Sequence, residues 1–582
     1  MLGRRKAWSR LLVGAWLATV VLLSSGGNFA GAQDATPRLT PDRIVSIPMS
    51  DGVKIAAALY LPPNAHGRYP VLLAASAYRF DNDAVPAMAI YPFMELGPVR
   101  YYTQHGYIYV HMDVRGTGRS GGTYLYQSAR EQRDLYEAVE WIAKQPWSTG
   151  KIGGVGQSYY ARAQWFMGIQ NPPHLACIAP YDGNVDTYHA SAYTGGIPGD
   201  YPASWYEGVR SQNEYPRTGP PREITFDYTL AAQQHPLYDA FWKERTAAER
   251  LSKVKVPTFS IGVWGKVDLH LNGNIVGFQR VGGPKKLLVF GGSNVEQAVA
   301  DYSSIAFHET YLRPFYDWCL KGEQTSYTSA PPVRYVLTGT DKILTADAWP
   351  PAGISYQAWY LNNGPTGSVV SLNDGQLDTA APDAAVPPTM FTYPNAGWTN
   401  GVVGRGPDGR PDPARRVLTF VTPPLDHDTQ VVGPIELILY ASSTNNDTDF
   451  FVKLSDQQPA TDEEQKAGLN PRYSIVTKGW LRASHRALDP KWSLPHAPWY
   501  SDAALAPLHP GQVYRFDIAV MPTAHQFKKG DRIRLELANG DSAATDAPFT
   551  HRYGPRKLGT DTIYHDAQHP SELLLPLLPA AP

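Results

Sequence analysis

Ser158 is the residue around which chemistry can be built. It stands in Gly156-Gln157-Ser158-Tyr159-Tyr160-Ala161, between a strand pattern that begins at Lys151 and a helical run over 161–169. A serine on a sharp strand–turn–helix corner lifts its hydroxyl above a sheet. The next backbone N–H then points to where a carbonyl oxygen would gather negative charge. Such a serine also needs a base, an acid to orient that base, and donors for the oxyanion. The usual pattern ends in glycine two residues past the serine, whereas Tyr160 stands there. The strand–turn–helix setting therefore carries the assignment more than the short pattern does.

The elements needed to hold such a corner can be traced along the chain. Pro70-Val71-Leu72-Leu73-Ala74-Ala75 and the run over 107–112 read as strands buried on both faces. Residues 129–144 have helical spacing, with Leu135, Val139 and Ile142 on one side. Strands alternating with helices imply right-handed βαβ units and a mostly parallel sheet. The alternation stops over 186–250, a stretch rich in Tyr, Trp, Pro and Gly that reads as a cap inserted over the site. Strand signals return at 257–263 and 286–290. Beyond Pro331 the runs 333–337, 417–421, 435–441, 450–454, 513–520 and 532–537 are separated by turn residues, the pattern of an antiparallel β-sandwich of jelly-roll type. The Pro/Gly/Asp/Ala-rich stretch 374–413 reads as a long loop.

The expected organisation is thus a signal segment over 1–32, an α/β-hydrolase domain over 33–185 and 251–330, a cap over 186–250, and a jelly roll over 331–582. The signal rests on Arg4, Arg5, Lys6 and Arg10, the apolar run Leu11 to Leu23, and Ala30-Gly31-Ala32. That run is too short to span a bilayer of ~30 Å, so the reading is export, to the periplasm or medium, with no stable membrane insertion after cleavage. An uncleaved signal anchor is the alternative. Lys+Arg of 52 against Asp+Glu of 53, with no basic block, argues against nucleic acid as a partner. Cys177 and Cys319 are the only cysteines, and either one bridge or two buried thiols fits them. No Cys/His cluster has zinc spacing, so neither a metal nor another cofactor is expected.

Lys151-Ile152-Gly153-Gly154-Val155-Gly156-Gln157-Ser158-Tyr159 resembles the elbow of the cocaine esterase/X-Pro dipeptidyl-peptidase family, which includes α-amino acid ester hydrolases. So do Asp51-Gly52-Val53, the run Asp113-Val114-Arg115-Gly116-Thr117-Gly118-Arg119-Ser120-Gly121-Gly122, Gln145-Pro146-Trp147 and the segment Phe315 to Gly322. In the C-terminal part Asp447-Thr448-Asp449-Phe450, Gly479 to Arg486 and Gly530 to Arg534 are similar as well. The resemblance implies an acyl-enzyme serine hydrolase acting on small esters, amides or short peptides. It implies Tyr78 as one oxyanion donor beside the Tyr159 N–H, and Asp268 as the acid. The family's histidine belongs in the loop after the last strand, here Phe290-Gly291-Gly292-Ser293-Asn294-Val295-Glu296, which has none. His308, the next one along, becomes the expected base, with His270 as the alternative. Asp113, Arg115, Asp449 and His485 read as structural. A rival reading is a non-catalytic binding protein that has lost its base. A specificity for X-Pro substrates would need an anchor for a free amino terminus, for which Asp200, Glu207 and Glu214 in the cap are the candidates.

Overall fold

In the computed structural model the described residues are 39–579, apart from 82–94, 217, 292–299, 368–370, 384–385, 394–416, 468–470, 542–545, 547–548 and 553–557. The signal segment, most of the histidine-free loop and much of the stretch 374–413 therefore lie outside them.

The first sheet is built from β1 (Arg43–Pro48), β2 (Lys54–Tyr60), β3 (Tyr69–Ser76), β4 (Ile108–Asp113), β5 (Ser148–Gly154), β6 (Leu175–Ile178), β7 (Thr258–Val263), β8 (Lys285–Phe290), β9 (Val333–Leu337) and β10 (Lys342–Ala346). Their order is β1-β2-β4-β3-β5-β6-β7-β8-β9-β10. The middle of the sheet, from β4 to β9, is parallel, and antiparallel pairs close both edges. Every residue of β4 and β7 is buried, as the unbroken apolar runs require of strands covered on both faces. Helix α1 (Ala129–Ala143) is capped by the Ser128 hydroxyl, which accepts the Glu131 N–H. Helix α2 (Tyr159–Gln170) is almost wholly buried. The cap supplies α3 (Tyr201–Glu214) and a small hairpin, Tyr193–Thr194 with Ile197–Pro198. Helix α4 (Leu271–Arg280) follows β7.

One boundary moves. Val333–Leu337, read from sequence as part of the C-terminal domain, pairs in parallel with β8, and Lys342–Ala346 follows it onto the same sheet. Alternating burial made β9 look like a sandwich strand, but alternation is equally what an outer strand of an α/β sheet shows.

The second sheet has 11 strands. They are β11 (Ser355–Asn362), β12 (Gly375–Asp378), β13 (Thr389–Tyr393), β14 (Leu418–Val421), β15 (Thr429–Ser443), β16 (Asp449–Gln457), β17 (Tyr473–Arg482), β18 (Tyr514–Phe527), β19 (Arg532–Ala538), β20 (Gly559–Tyr564) and β21 (Glu572–Leu578). The order is β13-β20-β15-β18-β17-β16-β19-β14-β12-β11-β21, and β21 also pairs with β15. The expected jelly roll is thereby corrected to a closed barrel carrying a two-strand branch. Long strands with a register shift, such as β15 between Gly433 and Ile435, let the ladder bend back on itself. β12 and β13 fall inside the stretch read as loop. Their few residues sit among Pro, Gly and Asp, so pairing partners distant in sequence make them strands.

Cap and barrel are locked together where Gly195 and Gly196 meet it. A Cβ on Gly195 would lie 2.2 Å from the Trp480 carbonyl oxygen, and one on Gly196 would lie 2.2 Å from the His485 ring. Beside them Asp502 holds His485 Nδ1 at 2.6 Å and His189 Nε2 at 3.1 Å, while Asp186 holds His189 Nδ1 at 2.7 Å. Although burial works against its charge, these carboxylates push His189 up to about 10, and it stays protonated at neutral pH. Cys177 of β6 and Cys319 are joined in a disulfide, which resolves the open pairing.

Candidate active site

Ser158 occupies the corner between β5 and α2 with φ 60° and ψ −115°, a backbone region that L-residues rarely enter. Its N–H donates to the carbonyls of Tyr181 (3.2 Å) and Asp182 (3.0 Å), which hold the corner from below. The tightness of the turn explains Gly156: at φ 114°, a Cβ there would stand 2.4 Å from Tyr160 Cβ. Tyr159 is the first residue of α2, so its N–H has no carbonyl within the helix and faces outward.

Tyr78 follows β3 and is buried. Trp205 of α3 donates its indole N–H to the Tyr78 oxygen at 2.7 Å. The phenol proton is thereby left for another acceptor. Burial holds the phenol well above its ordinary pKa, so it remains a neutral donor. Ser158, Tyr78, Tyr159 and His270 share a small cavity whose remaining wall is largely aromatic, with Tyr126, Trp205 and Tyr228. Its free volume is about 30 Å³.

The histidine at this cavity is His270. Its Nε2 lies 3.4 Å from Ser158 Oγ, and its Nδ1 accepts the Asn184 N–H at 3.2 Å. His270 is the residue preceding α4, and α4 is pressed on the 182–185 loop. The Asn274 amide oxygen accepts the Gly183 N–H at 3.0 Å, and a Cβ on Gly273 would lie 2.3 Å from Asn184 Cα. Burial pushes His270 down to about 4, so the ring is neutral at neutral pH.

His308 is not the base. Its Nδ1 is bonded to the Tyr102 hydroxyl at 2.7 Å and its Nε2 to the Tyr302 carbonyl at 2.6 Å. Both ring nitrogens are thus committed within a tyrosine cluster, and the side chain is fully buried. It does not line the Ser158 cavity. Asp268 does not orient a histidine either. Its carboxylate takes the Lys478 ammonium of β17 at 2.9 Å, and Lys478 also reaches Asp546 at 3.0 Å. Asp268 therefore ties the hydrolase sheet to the barrel. The residues read as structural do behave so: Asp113 accepts the N–H groups of Phe80 and Arg119 at 2.9 Å each, Arg115 pairs with Asp134, and Asp449 pairs with Arg482.

Three further groups stand close to the elbow and escaped the sequence reading. Asp182 Oδ2 accepts the Gln157 amide at 2.9 Å and faces Lys266 Nζ at 3.7 Å. Lys266 itself is buried. Glu95 is 5% exposed, and its carbonyl accepts the Gln157 N–H at 2.8 Å. Nothing in the local sequence of these residues marks them, because each reaches the elbow from a different segment. Among the described residues no His/Cys/Asp/Glu cluster has the form of a metal site, and no helix is long and apolar enough to cross a membrane.

Residues 51–293 match the X-Pro dipeptidyl-peptidase (S15 family) model, and residues 325–574 match the X-Pro dipeptidyl-peptidase C-terminal non-catalytic domain. The chain belongs to the serine hydrolases of the cocaine esterase/X-Pro dipeptidyl-peptidase family. It is 25% identical to the cocaine esterase of Rhodococcus over 92% of this chain and 98% of that one. A protein of Mycobacterium bovis assigned as a serine esterase is 27% identical over 94% of this chain and 97% of its own. A CocE/NonD family hydrolase from Staphylococcus aureus superposes with TM-score 0.75 at 25% identity, covering 92% of this chain and 93% of that chain. An α-amino acid ester hydrolase shares the fold, with TM-score 0.67 at 22% identity over 95% of this chain and 100% of that one. Nothing among these relatives supports a non-catalytic role.

Proposed function

We propose that the protein is an exported hydrolase of small esters, working through an acyl-enzyme on Ser158. Ser158 Oγ attacks the carbonyl carbon, and the Tyr78 hydroxyl with the Tyr159 N–H receives the oxyanion. The observation that carries this reading is the convergence of a strained Ser158, a buried phenol whose proton is free to donate, and an N-terminal helix N–H on one cavity. Trp205 strengthens the Tyr78 donor by bonding its oxygen. In the tetrahedral intermediate each such donor is worth ~3–4 kcal/mol.

A void of about 30 Å³ among aromatic rings accepts only a few heavy atoms, which favours acetyl-sized acyl groups. The X-Pro reading draws less support. Asp200 pairs with Arg552, Glu207 and Glu214 both pair with Arg210, and none of the three lines the cavity. Export is consistent with the Cys177–Cys319 bridge, since disulfides persist in oxidising compartments.

The test is hydrolysis of p-nitrophenyl acetate by the wild type and by Ser158→Ala. The variant should lose turnover by at least ~10³-fold with its melting temperature preserved. Wild-type turnover in the variant would refute the reading. Butyrate and longer esters should be cleaved with lower kcat/KM than acetate.

A further inference from the structure

Helix α4 has a second face that the Ser158 site does not use. On the first, Gly273, Asn274 and Gly277 press the helix onto the 182–185 loop and Trp165. A Cβ on Gly273 would lie 2.3 Å from Asn184 Cα, and one on Gly277 would lie 2.5 Å from the Trp165 ring. Asn272, Ile275, Val276, Gln279 and Arg280 recur at the three- and four-residue spacing of the other side, and all five line a separate cavity of about 340 Å³. None of the residues lining the Ser158 cavity lines this one.

The other walls come from the barrel and from the loop that follows β17. β18 contributes Ala519 to Met521, and the loop contributes Trp492 and Trp499. The loop is held in shape from within. Leu494 and Ala497 exchange both backbone hydrogen bonds, at 3.1 and 3.0 Å, and the Ser493 hydroxyl accepts the Trp499 N–H at 3.0 Å. The two indoles stand 5.2 Å apart, centroid to centroid, and Trp349 and Tyr356 add two more rings to the lining. The walls are thus built without a guest, and the volume falls within the ~300–1,000 Å³ of small-molecule sites.

Charge decides which guest fits. Among the described residues Arg280 is the only charged side chain of the lining. Its guanidinium sits 3.6 Å over the Trp492 ring and donates to the Trp492 carbonyl at 3.3 Å. Asp489 attracts it electrostatically, yet no carboxylate among the described residues forms an ion pair with it. A guanidinium has five N–H donors, so most remain for an anion that can accept two at once. The complement of this lining is a carboxylate on a flat apolar body. The carboxylate meets Arg280, and the ring stacks among the indoles.

We propose that this cavity is a second ligand site, which binds a small aromatic carboxylate on the face of α4 turned away from the elbow. The guest is held independently of any reaction at Ser158. It leaves the Ser158 cavity open, so it does not compete with the ester.

The probe is 2-naphthoate, titrated into the full chain by isothermal calorimetry. One site with Kd below ~1 mM is expected for a ligand of this size. The neutral 2-naphthamide should bind the wild type at least ~10-fold more weakly, and 2-naphthoate should bind Arg280→Gln with a similar loss, because each removes one partner of a charged hydrogen bond. Val276→Trp sets an indole into the cavity and should abolish binding with the melting temperature kept. 2-Naphthoate should leave the KM for p-nitrophenyl acetate unchanged. Equal affinity for acid and amide, or binding that survives Val276→Trp, would overturn the proposal. A KM that rises in proportion to 2-naphthoate would place the acid at Ser158 and overturn it too. Absence of saturable binding overturns it as well, and a dimer at that concentration would give the face to a second copy of the chain. If Val276→Trp fails to fold, the comparison of acid and amide on the wild type decides. Calorimetry needs no turnover, so an inactive wild type that binds 2-naphthoate would refute the Ser158 reading and leave this site standing.

Discussion

His270 and His308 are the same side chain in closely similar surroundings, and they do opposite things. Both are buried, and burial pushes both down to about 4. His308 has spent both ring nitrogens, on the Tyr102 hydroxyl and the Tyr302 carbonyl. His270 has spent one, on the Asn184 N–H, and keeps Nε2 directed at Ser158. Burial and pKa therefore do not distinguish a structural histidine from one at a reaction centre. The distinction lies in whether a ring nitrogen is left facing the cavity.

The largest effect that would break this comparison concerns the oxyanion side, which both histidine corners leave untouched. Tyr78→Phe removes one donor and should lower kcat by ~10²–10³-fold with little change in KM, measured with p-nitrophenyl acetate. An unchanged kcat would remove Tyr78 from the site. Next come the two histidines themselves. His308→Gln should leave kcat per folded molecule near the wild-type value while lowering stability by ~1–3 kcal/mol in urea unfolding, because the buried Tyr102 hydroxyl and Tyr302 carbonyl lose their partner. His270→Ala should show the reverse emphasis, with kcat reduced and stability altered less. Equal catalytic losses in both would erase the distinction.

The smaller effects sharpen it. Asp268→Asn should reduce stability, since buried Lys478 would lose one of its two carboxylates, and should leave kcat nearly intact. A catalytic collapse would restore Asp268 to the machinery. Acid should also unfold the protein through the histidines. Their folded-state pKa near 4 lies below the unfolded value of about 6.5, so the unfolded chain binds protons first. Their contribution to stability is thus lost as pH falls from about 6.5 toward 4. Melting temperature against pH should decline through that window, and less steeply in His308→Gln.

What was legible in the sequence follows from where each contact comes from. The elbow was readable because Gly156, Ser158 and the start of α2 are neighbours in the chain and the turn needs them there. Strands buried on both faces, such as β4 and β7, were readable from unbroken apolar runs. The partner of Asp268 lies 210 residues away on β17, and no local pattern announces that an aspartate two residues before His270 belongs to a domain clamp. Glu95 and Lys266 reach the elbow from separate segments, so only the folded chain brings them together. The barrel closed where a sandwich was expected because the pairing of β21 with both β11 and β15 is a property of strand ends, to which hydrophobic alternation is blind.

The central claim is that Ser158 is a reactive nucleophile in this cavity. Its most direct test is fluorophosphonate labelling of the purified protein, followed by peptide mass spectrometry. The account expects a single adduct on Ser158 and its complete loss in Ser158→Ala. An unlabelled wild type, or an adduct on another serine that survives in Ser158→Ala, would contradict it.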